Sequence, residues 1–268
     1  MNKSLGSDIK ASAPMATHAV LNRQLQDGKN SLDADDMMKN DLLAAMSPDE
    51  LEFLLPHLEA VHVEFDKQLF QYGEKITQVY FPTTAIIALM YLLADGGSSE
   101  IAVVGHDGLL GISALLGETA IGTAMVQSAG YAYRLKVGVL KDACQRYPRL
   151  QQLLMRYTQI LFGQIAQNSV CSRHYSLDQQ LSHWLLNRLD RLPTNVLKMT
   201  QEMIAGMLGV RRESITEAVG RLQQQGLIQH RRGSITLLNR VGLEKYAGEC
   251  YQATKHAFNL IMGNGVLR

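Results

Sequence analysis

Residues 200–222 have the spacing of two short helices that cross at a tight turn. Thr200 has the type of side chain that caps a helix N-terminus. Counting Gln201 as the first position, Ala205 at the fifth is small enough for two helices to cross there, and Gly209 at the ninth adopts a positive φ at little cost. Apolar residues occupy the inward positions, namely Ile204, Leu208, Val210, Ile215 and Val219. The pattern predicts a helix-turn-helix.

The second helix of this motif begins with charged and polar side chains. Arg can form two hydrogen bonds with the O6/N7 edge of guanine, Glu can accept one from the cytosine amino group, and Ser and Thr suit phosphates or base edges. A helix N-terminus also favours phosphate. The predicted DNA contacts of the two helices are Thr200, Gln201, Arg211, Arg212, Glu213, Ser214, Thr216 and Glu217. For each of them a solvated surface side chain is the alternative.

Residues 227–237 follow as two short apolar runs around an Arg-Gly turn, which predicts a β-hairpin or wing. His230, Arg231 and Arg232 lie at its tip, where they are placed for phosphate contact, with an ordinary solvated tip as the alternative. We therefore expect a winged helix-turn-helix domain over residues 174–250 and a C-terminal tail over residues 251–268. A helix with Ser176 as its N-cap opens that domain.

The first part of the chain has a different pattern. Residues 1–40 are polar and weakly periodic, which predicts a disordered arm. Ser47 then caps a first helix. Short β-branched and aromatic segments separated by Gly and Asp turns predict a β-roll sensor domain over residues 41–139. The expected strands are 61–65, 79–82, 85–93, 100–104, 123–127 and 131–135.

Residues 140–173 have helical periodicity throughout. One apolar stripe of such a long helix packs on its own domain, and the surface left over favours a coiled-coil-like homodimer. Gln164 and Asn168 lie on the stripe and are candidates for fixing the register of the dimer. An intramolecular core helix is the alternative. The predicted fold class is α+β, with an N-terminal double-stranded β-roll, a long dimerisation helix and a C-terminal winged helix-turn-helix.

The net charge is only +1, but the charges are unevenly distributed. Residues 1–140 carry an excess of Asp and Glu, whereas residues 141–245 carry an excess of Lys and Arg. This asymmetry favours two domains, with double-stranded DNA meeting the second one.

What the sequence lacks narrows the function classes. No stretch reaches the ~18 uninterrupted apolar residues of a membrane helix, and the first residues lack the apolar core of a secretory signal. We therefore expect a cytoplasmic protein with no membrane partner. HExxH, GxxxxGK[ST], GxSxG and GxGxxG motifs are missing, which argues against an enzyme.

The three cysteines, Cys144, Cys171 and Cys250, are far apart in the sequence. They form no CxxC pair and no His-Cys cluster with the spacing of a metal site. The sequence therefore predicts free thiols, with no disulfide and no metal.

Three motifs resemble the Crp/Fnr family of bacterial regulators over residues 45–250. Residues 209–228 are similar to the family's recognition-helix block, residues 70–74 to the first turn of its cyclic-nucleotide-binding roll, and residues 105–111 to a later Gly-Asp turn. The resemblance implies that Arg212 and Glu213 read bases and that RNA polymerase is a partner. Glu217 stands where the cyclic-AMP-responsive members carry a second base-reading Arg, so a different operator is expected.

The ligand pocket departs from the family pattern. Cyclic-nucleotide binders in the family carry a Gly-Glu pair for the ribose and an Arg for the cyclic phosphate, whereas the matching positions here read Gly111-Ile112 and Gly122-Thr123. An unpaired buried phosphate charge is costly, so we expect weak or no binding of cyclic AMP in the usual mode. The positions that would line the pocket are Gly111, Ile112, Ser113, Thr123 and Ala124.

Other family sensors can be compared in the same way. The oxygen-sensing members use an N-terminal cysteine cluster, but no cysteine precedes Cys144. Haem-binding members use a His of the roll, for which His106 is available, although a surface role fits a lone His in a turn better. We predict no cofactor. The effector stays open, with a cyclic dinucleotide or another small molecule as candidates.

These observations lead to two hypotheses. The first is a homodimeric, sequence-specific DNA-binding regulator that recognises a roughly palindromic site. The alternative is a ligand- or protein-binding sensor module without effective DNA binding.

Overall fold

The computed structural model describes residues 34–94, 96–253 and 255 of the 268-residue chain. It has the predicted fold class: an N-terminal β domain, a long helix and a C-terminal helix-turn-helix. The helices are α1 Ala34–Met37, α2 Asp41–Ala44, α3 Pro48–Leu54, α4 Val137–Arg146, α5 Pro148–His174, α6 Leu177–Leu189, α7 Gln201–Leu208, α8 Arg212–Gln224 and α9 Arg240–Ala247. The strands are β1 Glu59–Val63, β2 Gln68–Phe70, β3 Gln78–Pro82, β4 Ile86–Leu92, β5 Ser98–Val104, β6 Thr123–Ser128, β7 Gly130–Lys136, β8 Val196–Lys198, β9 Ile228–Arg231 and β10 Ser234–Leu237.

Residues 34–40 are ordered, so that part of the predicted arm is wrong, while residues 1–33 lie outside the described residues. The reason is the fully buried Asn40. Its amide donates to Pro82 O (2.8 Å) and Gly108 O (2.9 Å), and its side-chain oxygen caps α2. A buried amide with all these partners ties the segment to the roll. As predicted, Ser47 caps α3, where it forms a capping box with Glu50.

The N-terminal β domain is built from two antiparallel sheets with strand orders β1-β7-β3 and β2-β6-β4-β5. The six predicted strands agree with the observed ones to within a few residues at each end. The additional strand β2 is only three residues long, too short for a period-two pattern to show. The two sheets enclose one apolar core, to which α3 and α5 also contribute.

The predicted long helix is two helices. The break lies at Tyr147, whose φ of −122° and ψ of 92° are extended, and α5 begins at Pro148. A proline disfavours the helical conformation of the residue before it, which accounts for the break. Among the described residues, no helix combines the length and the apolar character needed to cross a membrane.

The inward face of α5 joins the core of the roll through Leu150, Leu154, Tyr157 and Leu161. Gln164 and Asn168 extend that face and bind the backbone of β5. Gln164 Oε1 accepts from Val103 N (2.9 Å), and Asn168 Nδ2 donates to Ile101 O (3.2 Å). Because both amides are engaged within the chain, the prediction that they fix the register of a dimer is wrong.

The remaining elements, α6 to α9 with the sheet β8-β10-β9, form a second domain with its own apolar core. Ser176 is the N-cap of α6, as predicted, and forms a capping box with Gln179. The prediction that a C-terminal tail begins at residue 251 is wrong, because Tyr251 is buried in this core. Its hydroxyl donates to Asp190 Oδ2 (2.8 Å). Thr254 and residues 256–268 lie outside the described residues.

The two domains meet through a buried ion pair between α6 and β5. The guanidinium of Arg188, 1% exposed, contacts the carboxylate of Glu100, 5% exposed. Arg188 Nε also donates to Gln127 Oε1 (3.1 Å), and its Cζ lies 3.6 Å from the centre of the Trp184 ring. Burial lowers the pKa of Arg188, and the neighbouring Glu100 opposes this effect. Each charge is therefore stable in the interior only because the other is present.

A second ion pair lies beside the first one. Arg191 Nε donates to Asp107 Oδ1 (2.9 Å) and Arg191 Nη2 to Asp107 Oδ2 (2.5 Å), a two-pronged contact between the end of α6 and the turn after β5. Such pairs fix the orientation of both side chains. The two arginines together hold α6 in one position on the roll.

The buried pair predicts the effect of removing one charge. Glu100→Ala leaves Arg188 unpaired in the interior, so we expect the free energy of unfolding to fall by about 3 kcal/mol in urea denaturation. A second substitution, Arg188→Met, is expected to recover most of the loss. Glu59→Ala removes the exposed partner of Arg134 and serves as the control, with an expected change below about 0.5 kcal/mol. Equal losses of unfolding free energy in Glu100→Ala and Glu59→Ala would contradict the prediction.

Candidate nucleic-acid interface

The crossing of α7 and α8 has the predicted local geometry. Thr200 caps α7 by accepting from Met203 N (3.3 Å). The helix ends at Gly209, whose φ of 66° lies in the left-handed region that glycine adopts without strain. On the opposite side, Ile204 and Ala205 are buried against α8. The N-cap of α8 is Arg211, which makes no side-chain capping bond, so the first amides of α8 are available to an anion.

The start of α8 has one face in the core and one in solvent. The inward residues are Ile215, Ala218, Val219 and Leu222. Most predicted contact residues are exposed, and Ser214 is half-buried. The exposed residues on α8 and at its N-cap are Arg211, Arg212, Glu213, Thr216 and Glu217. The helix therefore presents its charged turn to whatever approaches the domain.

The contacts of these exposed side chains within the chain are weak. Arg212 Nε lies 3.7 Å from Glu202 Oε2, and Glu217 Oε2 lies 3.6 Å from Arg221 Nη1. Exposed ion pairs at such distances are worth little in water and exchange readily. Thr216 donates from its hydroxyl to Gln201 Oε1 (2.7 Å), so the predicted contacts of α7 and α8 adjoin each other.

The wing is a tight hairpin of β9 and β10. The pairing of Arg231 with Ser234 leaves Arg232 and Gly233 as a two-residue turn with positive φ at both positions, 35° and 78°. This is the twist that two-residue hairpins prefer. The wing is fixed to the start of α7, since Met199 N donates to Gly233 O (2.8 Å).

The candidate residues of the wing differ in exposure. Arg231 and Arg232 are exposed, and His230 is half-buried. The backbone amide of His230 donates to Gln223 Oε1 on α8 (2.9 Å). Thr200 lies beside the tip, because a Cβ built on Gly233 would be 3.8 Å from Thr200 Cγ2. The structure thus brings the three predicted groups, on α7, α8 and the wing, to neighbouring positions.

One residue that positions this interface was missed by the sequence analysis. Arg221 on α8 donates to both carboxylate oxygens of Asp178 on α6, each at 2.7 Å. The hydrogen bonds that Arg221 donates to Asp178 raise the pKa of Arg221. The two residues are 43 positions apart, and Asp178 looks like an ordinary acid in the first turn of a helix. No local signal could have paired them.

The five predicted pocket positions lie inside the roll. Gly111 has a φ of 92° and caps a short 3₁₀ helix. Ile112 and Ala124 belong to the apolar core, and Ser113 is half-buried. Thr123 is buried and accepts from Tyr72 N (3.3 Å).

His106, the candidate haem ligand, is engaged with protein groups at both ring nitrogens. Its Nδ1 lies 3.4 Å from Asp41 Oδ2, and its Nε2 lies 3.4 Å from Asp190 O. The hydrogen bond with Asp41 raises the pKa of His106. These contacts place His106 at the junction of the domains. To bind a haem iron, His106 would have to give up its contact with Asp41 or with Asp190.

The prediction that the cysteines are all free is wrong for two of them. Cys171 on α5 and Cys250 beyond α9 form a disulfide, with a Cα–Cα distance of 6.4 Å. The side chain of His183 on α6 lies beside them. The two sulfurs and a ring nitrogen of His183 are within 4.8 Å of one another. The fold brings together residues that sequence spacing keeps apart. Cys144 remains a free thiol, and burial raises its pKa.

Comparisons with known proteins agree with this geometry. Residues 179–246 match the model of the Crp-like helix-turn-helix domain. The chain is 22% identical to the fumarate and nitrate reduction regulatory protein of Vibrio cholerae over 194 residues, which cover 69% of this chain and 77% of that protein. It is also 22% identical to the anaerobic regulatory protein of Aggregatibacter actinomycetemcomitans over 251 residues, 87% of this chain and 95% of that protein.

Solved structures share the fold. FixK2 from Bradyrhizobium japonicum superposes with a TM-score of 0.63 at 19% identity, over 70% of this chain and 96% of that one. A crp/fnr-family transcriptional regulator from Eubacterium rectale superposes with a TM-score of 0.61 at 20% identity, over 77% and 97% of the two chains.

Residues 179–246 therefore form a Crp-like helix-turn-helix domain, and the chain shares its fold with solved Crp/Fnr regulators. The named curated relatives are regulatory proteins, in agreement with the prediction that the chain is not an enzyme. The matched residues 179–246 include every predicted DNA contact, from Thr200 to Arg232.

Proposed function

We propose that this chain is a Crp/Fnr-type regulator that binds double-stranded DNA sequence-specifically, with α8 in the major groove. The observation that carries the proposal is the exposed, uncapped start of α8 beside Thr200 and the wing. A helix N-terminus that presents Arg and Glu side chains is suited to base edges, and a neighbouring wing with two exposed arginines is suited to phosphates.

The side chains divide into two roles in this proposal. Arg212 and Glu213 read base edges, and Glu217 contributes to an operator that differs from that of the cyclic-AMP-responsive members. The phosphate contacts come from Thr200, Gln201, Arg211, Ser214, Thr216, His230, Arg231 and Arg232. Support for the division comes from exposure and from the weak contacts of Arg212 and Glu217, which DNA can replace at little cost.

The regulator acts as a homodimer paired along α5. The outward face of α5 carries apolar side chains that the chain leaves uncovered, at intervals close to a heptad repeat: Met155, Phe162, Ala166 and Val170. Met155 and Phe162 are 63% and 62% exposed. Gly163 lies on the same face with open space around it. Apolar residues at this spacing on a long helix suit a second copy of the same helix.

Two-fold symmetry of the protein then implies a roughly palindromic DNA site whose half-sites are about one helical turn apart. The proposal includes RNA polymerase as a further partner and the cytoplasm as the location, where both DNA and polymerase are available.

The sensor roll of the regulator does not bind cyclic AMP in the usual mode. Ile112 and Ala124 fill the core where a ribose and a cyclic phosphate would need polar partners. A different small molecule, such as a cyclic dinucleotide, remains the candidate effector. One solved structure with this fold, the c-di-GMP responsive global regulator CLP of Xanthomonas campestris, superposes with a TM-score of 0.58.

Arg212→Ala tests the DNA-binding proposal. We expect a loss of about 1–3 kcal/mol in binding to a selected operator and relaxed preference at one base pair of each half-site. Arg232→Ala is expected to weaken binding to all sequences alike and to reduce its salt dependence. Mobility shift and footprinting measure both effects.

The control for this experiment is Lys245→Ala, which removes an exposed charge from α9 of the same domain and should leave affinity unchanged. Unchanged affinity and base preference in Arg212→Ala would refute its role. If no DNA sequence gave a salt-sensitive shift with the unmodified chain, a sensor module without DNA binding would be the better description.

The dimer is tested by Phe162→Glu. A charge in the middle of the apolar face should give a monomer in light scattering, because a paired helix would have to bury it. Leu116→Glu is the matched control, since Leu116 is equally exposed (68%) but lies on the roll. A monomeric mass for the unmodified chain, or a dimer for Phe162→Glu, would exclude the proposed face.

Titration calorimetry with cyclic AMP tests the pocket. The intact regulator is expected to give no binding heat at micromolar concentrations, because the roll offers the phosphate no cationic partner at the family's position. A dissociation constant in the micromolar range or below would contradict this expectation.

A further inference from the structure

Three elements of the regulator converge on one buried sulfur pair. Cys171 lies near the C-terminal end of α5, Cys250 lies beyond α9, and the two are 79 residues apart in the chain. Both are buried, at 4% and 1% exposure. His183 from α6 stands next to them, within 4.8 Å. The Cα–Cα distance of 6.4 Å is within the range for a disulfide, so the backbone accommodates the bond as it stands.

Reagents have a route to these sulfurs. A cavity of about 220 Å³ lies between β5, α5, α6 and α7, and its lining includes Cys171 and His183. The remaining lining at that end is polar, with Asn168, Ser172 and Gln180. A small polar oxidant or thiol could therefore reach Cys171 without unfolding of the domain.

His183 is an uncharged hydrogen-bond donor beside the sulfur pair. Asn187 Nδ2 lies 2.8 Å from His183 Nε2, which accepts from it, so the proton of the neutral ring is on Nδ1. Burial, and after it the charges of Arg188 and Arg191, lower the pKa of His183 to about 4, so the imidazole is neutral near pH 7. Its Nδ1–H can donate to a neighbouring thiolate and stabilise it.

We propose that Cys171, Cys250 and His183 form a reversible thiol–disulfide site that ties the DNA-binding domain to the long helix α5. Oxidation uses hydrogen peroxide. One thiolate attacks an oxygen of the peroxide and becomes a sulfenic acid as water is released. The second thiol displaces its hydroxyl as a second water, so that two thiols and one peroxide give one disulfide and two waters. A dithiol reductant reverses the bond and is itself oxidised to a disulfide.

The disulfide is important because it spans the short connection about which the DNA-binding domain could rotate relative to α5. Only Tyr175 and Ser176 separate α5 from α6, which opens the DNA-binding domain. A second covalent tether, from Cys171 to Cys250, adds to the two buried ion pairs of α6 in restricting rotation about this connection. This consequence rests on the proposed DNA binding. We expect the disulfide-bonded form, in which the position of the DNA-binding domain on α5 is fixed, to have the higher DNA affinity, because less orientational freedom is lost on binding.

The site itself is tested by thiol mapping and melting on the intact chain. Peroxide-treated protein should yield a Cys171–Cys250 peptide pair in non-reducing digests, which dithiothreitol removes. The oxidised form should melt about 10 °C above the reduced form. His183→Leu removes the hydrogen-bond donor beside the thiolate, so it should slow bond formation without changing the difference in melting temperature between the oxidised and reduced forms. No mapped bond, or equal melting temperatures, would overturn the proposal.

The coupling to DNA is tested with substitutions. Cys171→Ser and Cys250→Ser should bind operator DNA at least about fivefold more weakly than oxidised wild-type protein and should not respond to peroxide. Cys144→Ser, which changes the free thiol, should keep the full response. Reduction of the wild-type chain gives the same comparison if either variant fails to fold.

Two results would decide against the inference, and a third would count against the proposed function instead. Equal or tighter DNA binding by the reduced form would exclude the coupling. One zinc or copper ion per chain, retained through gel filtration by the reduced protein, together with resistance of the thiols to peroxide, would identify a metal site instead. Failure of both redox forms to bind DNA would count against the proposed function, and thiol mapping with melting would then decide the redox site separately.

Discussion

The buried pair of Arg188 and Glu100 sets the arrangement of the two domains. A guanidinium with 1% exposure needs a compensating charge, and that charge is supplied by β5 of the other domain. The pair can form only when α6 lies against β5, so the desolvation that makes a lone charge costly also selects this orientation. Gln127 and the Trp184 ring occupy the remaining sides of Arg188, which leaves it little freedom to move.

The Gly-Asp turn after β5 contributes to the same contact between the domains. Its resemblance to a turn of the ligand-binding roll suggests sensing, yet in the structure its residues serve the junction. Gly105 gives Arg191 room, since a Cβ there would lie 2.7 Å from Arg191 Cδ, and Asp107 binds the guanidinium. On the other side, Gly108 leaves space for Tyr157 of α5. One short turn therefore contacts both the long helix and the DNA-binding domain.

The predictable part of this structure is the part encoded locally. Caps such as Ser47 and Thr200, and the left-handed Gly209, act within three or four residues, so the sequence alone predicts them. The helix break at Tyr147 was missed, although Pro148 is a local signal for it. The roles of Arg188 and Cys171 were not predictable, because their partners lie 88 and 79 residues away and only the packing of two domains brings them together. Local sequence could not indicate which charge Arg188 would meet.

The strengths of the contacts around α8 divide in a way that suits recognition. Arg221 holds α8 to α6 through two short hydrogen bonds with Asp178, and α6 is in turn held to the roll by buried pairs. Displacement of α6 would therefore carry α8 with it. Arg212 and Glu217 on the exposed face of α8 instead form long ion pairs with Glu202 and Arg221. Strong contacts thus fix where the helix lies, whereas weak ones leave the side chains proposed to read bases free to exchange partners.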